Sequence, residues 1–312
     1  MDSFYTPCIA LLYHRINDLP VDHQLLCVTP ENFHDHVRYL KNNFALLDID
    51  EFIEIKKNKR KKFNRKSVVL TFDDGYADNF YGAVPVLETL NAQALFYIAT
   101  EHLDTQNEFW WDEFEKIMTH SALPDSLELE TSNQKYFFST KTSEEKLIAY
   151  HALHPVFKYK KKAEQKVLLD QLRSWSGLHT GGQDSHRILT GAEIKKMSLS
   201  KSVVLGAHTH THTPLSLLNY REQMEEIKTS KEIIERIIEK PVRHFSYPYG
   251  EKRDYNSDSL KSCKELGFQI VFSNFPSIIY QPVNNYELPR FLVRNWSLED
   301  FKMKLNSFFQ PA

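Results

Sequence analysis

Cysteine is scarce in this chain, and its three copies, Cys8, Cys27 and Cys263, lie far apart. An odd, scattered set offers neither a disulfide framework nor a thiolate metal site. No apolar run approaches the ~20 residues that a membrane-spanning helix needs. The first residues lack a basic start, and the apolar stretch that follows, 8–13, is too short for the core of an export signal. Cytoplasmic placement is therefore the expectation. Charge of one sign is lacking too: a formal net charge of −2 argues against nucleic acid as a partner. Internal repeats and low-complexity tracts are also missing.

What remains is an ordinary globular balance, 41% hydrophobic and 26% charged, in a chain of 312 residues, enough for one large or two small domains. Aromatics at 13% favour a large core or sugar-stacking surfaces. Two basic runs, Lys57–Lys66 and Lys158–Lys162, read as solvated helix ends and loops. Their sharper reading is a weak pull towards anionic lipid head groups at the inner face of a membrane.

Short apolar runs at about 8–13, 45–48, 67–72, 94–99, 203–207, 243–247, 269–273 and 288–293 predict strands. Amphipathic patterns at about 30–42, 49–57, 80–91, 214–240 and 256–266 predict helices between them. Thr213 as a cap, Pro214 in the first turn and Pro241 as a stop place the longest of these. Alternation of this kind implies an α/β fold with a mostly parallel sheet and right-handed crossovers. Seven or eight such units suggest closure into a barrel, whose chemistry gathers at the C-terminal ends of its strands. The segment 105–195 breaks the alternation, and its 144–172 stretch reads as one or two helices. It is expected to be a helical insertion within a single domain spanning 1–312.

Thr71-Phe72-Asp73-Asp74-Gly75 is the most informative stretch. Two carboxylates sit at the tip of an apolar strand, where the turn at Gly75 lets both face one pocket. A solvated turn is the plain meaning of such a triplet. Like charges so close force different roles unless a cation intervenes. Far downstream, directly after another strand, comes His208-Thr209-His210-Thr211-His212. His208 and His212 share a face in either a helix or an extended segment, a frequent ligand arrangement for zinc or a similar divalent ion. His210 joins them only if the segment is extended, and otherwise lies behind them or in solvent. Asp74 is the natural third ligand, which leaves Asp73 to take a proton from water. Phe245-Ser246-Tyr247-Pro248-Tyr249-Gly250 follows a third strand. Its Pro248 makes a rigid loop able to aim the Tyr249 backbone N–H at a developing oxyanion, although a plain turn also fits.

In this order, these motifs resemble the polysaccharide deacetylase family with the NodB-type catalytic domain, over most of the chain. Thr71–Gly75 resembles its first motif, with base and ligand aspartates. His208-Thr209-x-x-His212 is similar to the second, and Ser246–Gly250 to the third. Tyr13-His14-Arg15, Trp110-Trp111-Asp112 and Leu288-Pro289-Arg290 are similar to the branch found in bacterial surface-polysaccharide clusters. The resemblance implies a distorted (β/α) barrel of about seven strands, interrupted between the first and second metal motifs. It also implies metal-dependent removal of N-acetyl groups from sugars, with zinc as the expected cation.

Two departures stand out. Ser246 replaces the arginine that opens the family's third motif, and Arg290 replaces the histidine that serves as general acid in its last. Arginine cannot act as an acid near neutral pH, so Arg290 is expected to pair with Asp73 instead. His14, at the end of the first strand, is the candidate proton donor, ahead of His244. Trp111 either stacks on a sugar ring or packs in the core. The expected partner is an acetylated amino sugar, nucleotide-linked, lipid-linked or oligomeric, with weak peripheral membrane contact. The alternatives are an inactive carbohydrate-binding barrel and removal of a formyl or O-acetyl group.

Overall fold

Runs of Val, Ile, Leu and Phe buried on both faces produce the strands of a parallel sheet. The computed structural model describes residues 6–57, 63, 65–178, 182, 184–280 and 284–310. Among these, the strands are β1 (Cys8–Tyr13), β2 (Arg15–Ile16), β3 (Cys27–Val28), β4 (Ala45–Leu46), β5 (Ser67–Phe72), β6 (Ala94–Ile98), β7 (Ser126–Glu130), β8 (Lys135–Ser139), β9 (Val203–Ala207), β10 (His244–Ser246), β11 (Ile270–Phe272) and β12 (Phe291–Leu292). The chain divides into two compact units, Met1–Leu103 with Leu189–Ala312, and Asp104–Ile188.

The first unit is built on one sheet in the order β11-β10-β9-β6-β5-β1-β12, with β4 beside the start of β5. Every pairing in it is parallel. Its two edges meet through the segment that ends in β12. Leu288 bridges Phe272 of β11, and three residues later Phe291 pairs with Leu11 of β1. The sheet therefore curls into the distorted (β/α) barrel that the alternation predicted.

Side-chain alternation divides the sheet's residues between two cores. Ala10, Val69, Leu95, Tyr97 and Phe272 face the barrel interior, whereas Ile9, Leu70, Phe96 and Phe245 pack under the helices. Gly206 is required on the inner side: a Cβ there would lie 2.5 Å from Cδ1 and Cε1 of Tyr97. Most strand boundaries agree with the sequence reading to within one or two residues. The helices differ more. Residues 79–83 form a π-helical turn ahead of the helix Val84–Thr89. The long helix runs Tyr220–Ile238 and not from Pro214, because Asn219 supplies the capping box with Glu222 while Pro214 leads into a 3-10 turn at Leu215–Leu217.

The second unit holds the segment expected to be helical from 105 to 195. Its helices are Trp110–Thr119, Ser143–Lys158 and Lys162–Ser176, and it also contains the antiparallel hairpin β7–β8. The helix Gly191–Met197 belongs to the first unit. Most of the basic run Lys57–Lys66 lies outside the described residues. In the second run Lys158 is buried and Lys160 pairs with Glu164 at 3.2 Å. Among the described residues no helix is long and apolar enough to cross a membrane.

Candidate active site

Strand β5 delivers its last inward-facing positions to the mouth of the barrel: Val69, then Thr71, then Asp73 just beyond the strand. The Asp73 amide still bonds the Tyr13 carbonyl (3.1 Å), as a continued strand would. The chain then turns sharply, with Asp74 at φ 74° and Gly75 at φ 86°. This turn places the second carboxylate beside the first.

Asp74 Oδ1 lies 3.2 Å from His212 Nε2 and 3.6 Å from His208 Nε2, and the two Nε2 atoms are 3.2 Å apart. Asp74, His208 and His212 each offer one ligand atom within 4.8 Å of the others, and all three are buried. The His208 Nδ1–H donates to the Ser246 carbonyl oxygen (2.7 Å), which turns a lone pair on Nε2 towards the cluster. Burial raises the Asp74 pKa, but bonds from both histidines outweigh it and hold the carboxyl well below the usual range. Burial also works against a charged His208, yet Asp73 and Asp74 overcome it and raise the pKa; for His212 burial wins and the pKa falls. Two imidazole nitrogens and one carboxylate oxygen, converging and desolvated, form a donor set that suits a divalent cation.

Asp73 answers to a different partner. Arg290 meets it as a fork, with Nη1 donating to Oδ1 (2.7 Å) and Nη2 to Oδ2 (2.6 Å). Arg290 commits its other donors as well: Nε to the Ser273 carbonyl (2.7 Å), Nη1 to Thr71 Oγ1 (3.2 Å) and Nη2 to Ser246 Oγ (2.7 Å). The Ser246 hydroxyl in turn donates to Asp73 Oδ2 (3.2 Å). Arg290 is only 1% exposed, so its charge acts in a dry setting. Burial raises the Asp73 pKa, but the arginine's charge and bonds prevail and lower it.

His14 stands at the exit of β1. Asn79 in the π-helical turn donates to its carbonyl (2.7 Å), and Asp78 binds Arg15 Nε (2.9 Å) and the Ile16 amide (3.2 Å). The ring is part-buried, and its Nδ1 has no hydrogen-bond partner among the described residues. Burial lowers its pKa, against the opposing pull of Asp74 and Asp73. His244 sits one inward position below Ser246 on β10, away from the strand tips, and burial takes its pKa down to about 4. Tyr249 takes φ 59° beside Gly250 at φ 70°, and its ring meets the His212 ring edge-on at 4.7 Å between centroids. Pro248 is buried in the same turn, its carbonyl accepting from the Gly250 amide (2.6 Å). His210 points away from the ligand cluster, with Nδ1 3.0 Å from Thr100 Oγ1. Trp111 belongs to the second unit, where its ring stacks on Phe109 (4.2 Å) and is 3% exposed. Such burial is what core packing requires.

Among the described residues, four of the eight non-glycine ones with positive φ, Asp74, Thr209, His212 and Tyr249, belong to these motifs. Each left-handed residue costs of order 1–3 kcal/mol, and such costs concentrate where geometry serves chemistry. Sequence reasoning missed Thr71, Ser273 and Ser246 as partners of this network. Thr71 could have been found from the period of two that ends at Asp73.

The polysaccharide deacetylase family model matches residues 60–129 and 156–271. Over 313 residues the chain is 23% identical to the poly-beta-1,6-N-acetyl-D-glucosamine N-deacetylase of Staphylococcus epidermidis, covering 96% of this chain and 83% of that one. Its Staphylococcus aureus counterpart is 20% identical over 315 residues, with 97% and 84% covered. Among solved structures, a Streptococcus pyogenes deacetylase in complex with acetate aligns with a TM-score of 0.63 at 17% identity, covering 98% of this chain and 100% of that chain. IcaB from Ammonifex degensii aligns at 0.62, also with 17% identity, covering 98% and 97%. These two share the fold. With more than half its length matched by the family model and the motifs assembled at one end of the barrel, the chain belongs to the polysaccharide deacetylase family.

Proposed function

We propose that this protein is a metal-dependent sugar N-deacetylase, a hydrolase that splits the amide of an N-acetylated amino sugar into acetate and a free amine. The observation that carries the proposal is the pairing of a buried Asp74–His208–His212 ligand set with a second carboxylate, Asp73, held by its own arginine 2.6 Å away. Asp74, His208 and His212 would hold the cation, with zinc preferred for two imidazoles and a carboxylate. When bound, it supplies Lewis acidity to a water molecule and to the acetyl carbonyl.

The protein's own groups do the rest. Asp73 lies 3.8 Å from His208 Nε2 and accepts the proton of the attacking water. Arg290 keeps it ionised for that purpose. The Tyr249 amide, on the rigid turn after Pro248, donates to the oxyanion as the carbonyl carbon becomes tetrahedral. Arg290 cannot protonate the departing nitrogen. His14 is assigned to hand the departing nitrogen the proton that Asp73 took from the water, which returns Asp73 to its ionised form.

For the substrate we propose an oligomer or polymer of N-acetylglucosamine, since the staphylococcal relatives are named for such a polymer. Nothing among the described residues favours a nucleotide-linked or lipid-linked carrier, or contact with a membrane. Cytoplasmic placement remains part of the proposal, and recovery of the protein in an extracellular or envelope fraction would overturn it.

The test is acetate release from β-1,6-linked N-acetylglucosamine oligomers, with and without added zinc. Asp73→Asn should lower the rate by about 10²–10⁴-fold, the usual contribution of a general base, while leaving metal binding in place. Full activity in that variant, or a parent protein indifferent to divalent metal, refutes the proposal.

A further inference from the structure

The loop that carries both histidines is anchored by a residue none of the motifs contains. Between β9 and the helix Tyr220–Ile238, residues 208–212 turn twice through left-handed conformations, at Thr209 (φ 63°) and His212 (φ 58°). A β-branched residue with positive φ is costly, so the loop must be held from outside. One side is tied to the end of β6 and the segment after it: His208 N donates to the Ile98 carbonyl (3.1 Å), Thr100 N to the Thr209 carbonyl (3.3 Å) and Glu101 N to the His210 carbonyl (2.9 Å). The other side rests on a single carboxylate. Glu226 Oε2 accepts the backbone N–H of both His210 (3.0 Å) and Thr211 (2.8 Å), and Oε1 accepts the Thr211 hydroxyl (2.9 Å).

We infer that Glu226 is a positioning residue of the cation site, holding the His208–His212 loop in the bent form that brings both Nε2 atoms onto Asp74. This inference rests on the proposed metal site. Glu226 touches neither histidine ring, so its effect passes through the backbone between them. Its three bonds fix the third and fourth residues of a five-residue loop, and the ligands are the two ends of that loop. Without the carboxylate, two amides lose their acceptor and the loop can relax out of its left-handed turns. The ligand nitrogens then separate.

The geometry distinguishes shape from charge. In Glu226→Gln the amide oxygen can take the place of Oε2 and keep both backbone bonds. The new NH₂ can donate to the Thr211 hydroxyl, which passes its own proton to Thr213 Oγ1, 2.8 Å away. The test is the zinc dissociation constant of folded apoprotein, measured at fixed pH by competition with a chromophoric chelator. Glu226→Ala should bind about 10–100-fold more weakly than the parent, the usual effect of losing a group behind the ligands. Glu226→Gln should stay within about threefold, since it keeps every bond. Should the alanine variant fail to fold, Glu226→Asp, one methylene too short to span the loop, replaces it with the same expectation. Affinity in Glu226→Ala or Glu226→Asp equal to the parent's overturns the inference, as does a glutamine variant as weak as the alanine one. A parent that binds no zinc refutes the metal site itself, and this inference with it.

Discussion

Replacing Arg290 by methionine removes a buried cation and strands a buried anion. Asp73 and Arg290 are 5% and 0% exposed at the side chain, so solvent cannot rescue the orphaned carboxylate. Breaking such a pair from one side costs about 3–5 kcal/mol. Unfolding of the barrel should therefore come about 6–20 °C earlier, at ~2–4 °C for each kcal/mol. The pH dependence carries more information. In the parent, Asp73 titrates below its unfolded value, so its contribution is present above that value and is lost as pH falls through the folded pKa. Without Arg290, burial leads and the folded pKa rises above the unfolded one. The variant is then penalised at neutral pH and recovers as acid protonates Asp73. The gap between parent and Arg290→Met should narrow from pH 7 towards pH 4, followed by thermal or denaturant unfolding. Adding Asp73→Asn to the variant should restore part of the loss, and the double-mutant cycle should give a coupling above about 1 kcal/mol. A variant that unfolds with the parent, or a gap that widens in acid, refutes the argument.

Three further outcomes follow from the same geometry. Gly206→Ala should cost about 1–3 kcal/mol in unfolding measurements, because its methyl would meet the Tyr97 ring 2.5 Å away inside the barrel. Zinc affinity should weaken as pH falls through the titration of His208, whose raised pKa lets protons compete early; a pH-independent affinity between pH 5 and 8 contradicts the histidine ligands. His14→Gln should lower acetate release by about 10²-fold or more with unchanged zinc affinity, and an unaltered rate removes His14 from the mechanism.

Much of the barrel was legible because its strands are buried on both faces and read as unbroken apolar runs. Ser67–Phe72 and Val203–Ala207 end where the sequence turns polar, and those ends carry the aspartates and histidines. The pairing of Arg290 with Asp73 followed from a substitution pattern, an arginine absent at Ser246 and present near the end of the chain. The hairpin β7–β8 was hidden, since Ser126–Glu130 buries only Leu127 and Leu129 within a charged stretch between helices. The supporting bonds were hidden for another reason. Ser246, Ser273 and Glu226 act through partners distant in sequence, and nothing in a serine's or glutamate's immediate neighbours marks it. Trp111, exposed or buried, reads alike in one dimension.

The segment that joins the two edges of the sheet also has a temporal meaning. Arg290 and Asp73 are 217 residues apart, and the arginine lies between Leu288, bridged to β11, and Phe291, paired with β1. During synthesis the first 75 or so residues can emerge with both aspartates long before their counter-charge exists. Until residues 288–292 dock, Asp73 remains an uncompensated carboxylate in an open sheet. Closure of the barrel and pairing of Asp73 with its counter-charge are thus one event; under the role proposed for Asp73, a partly folded or prematurely ended chain lacks a competent base.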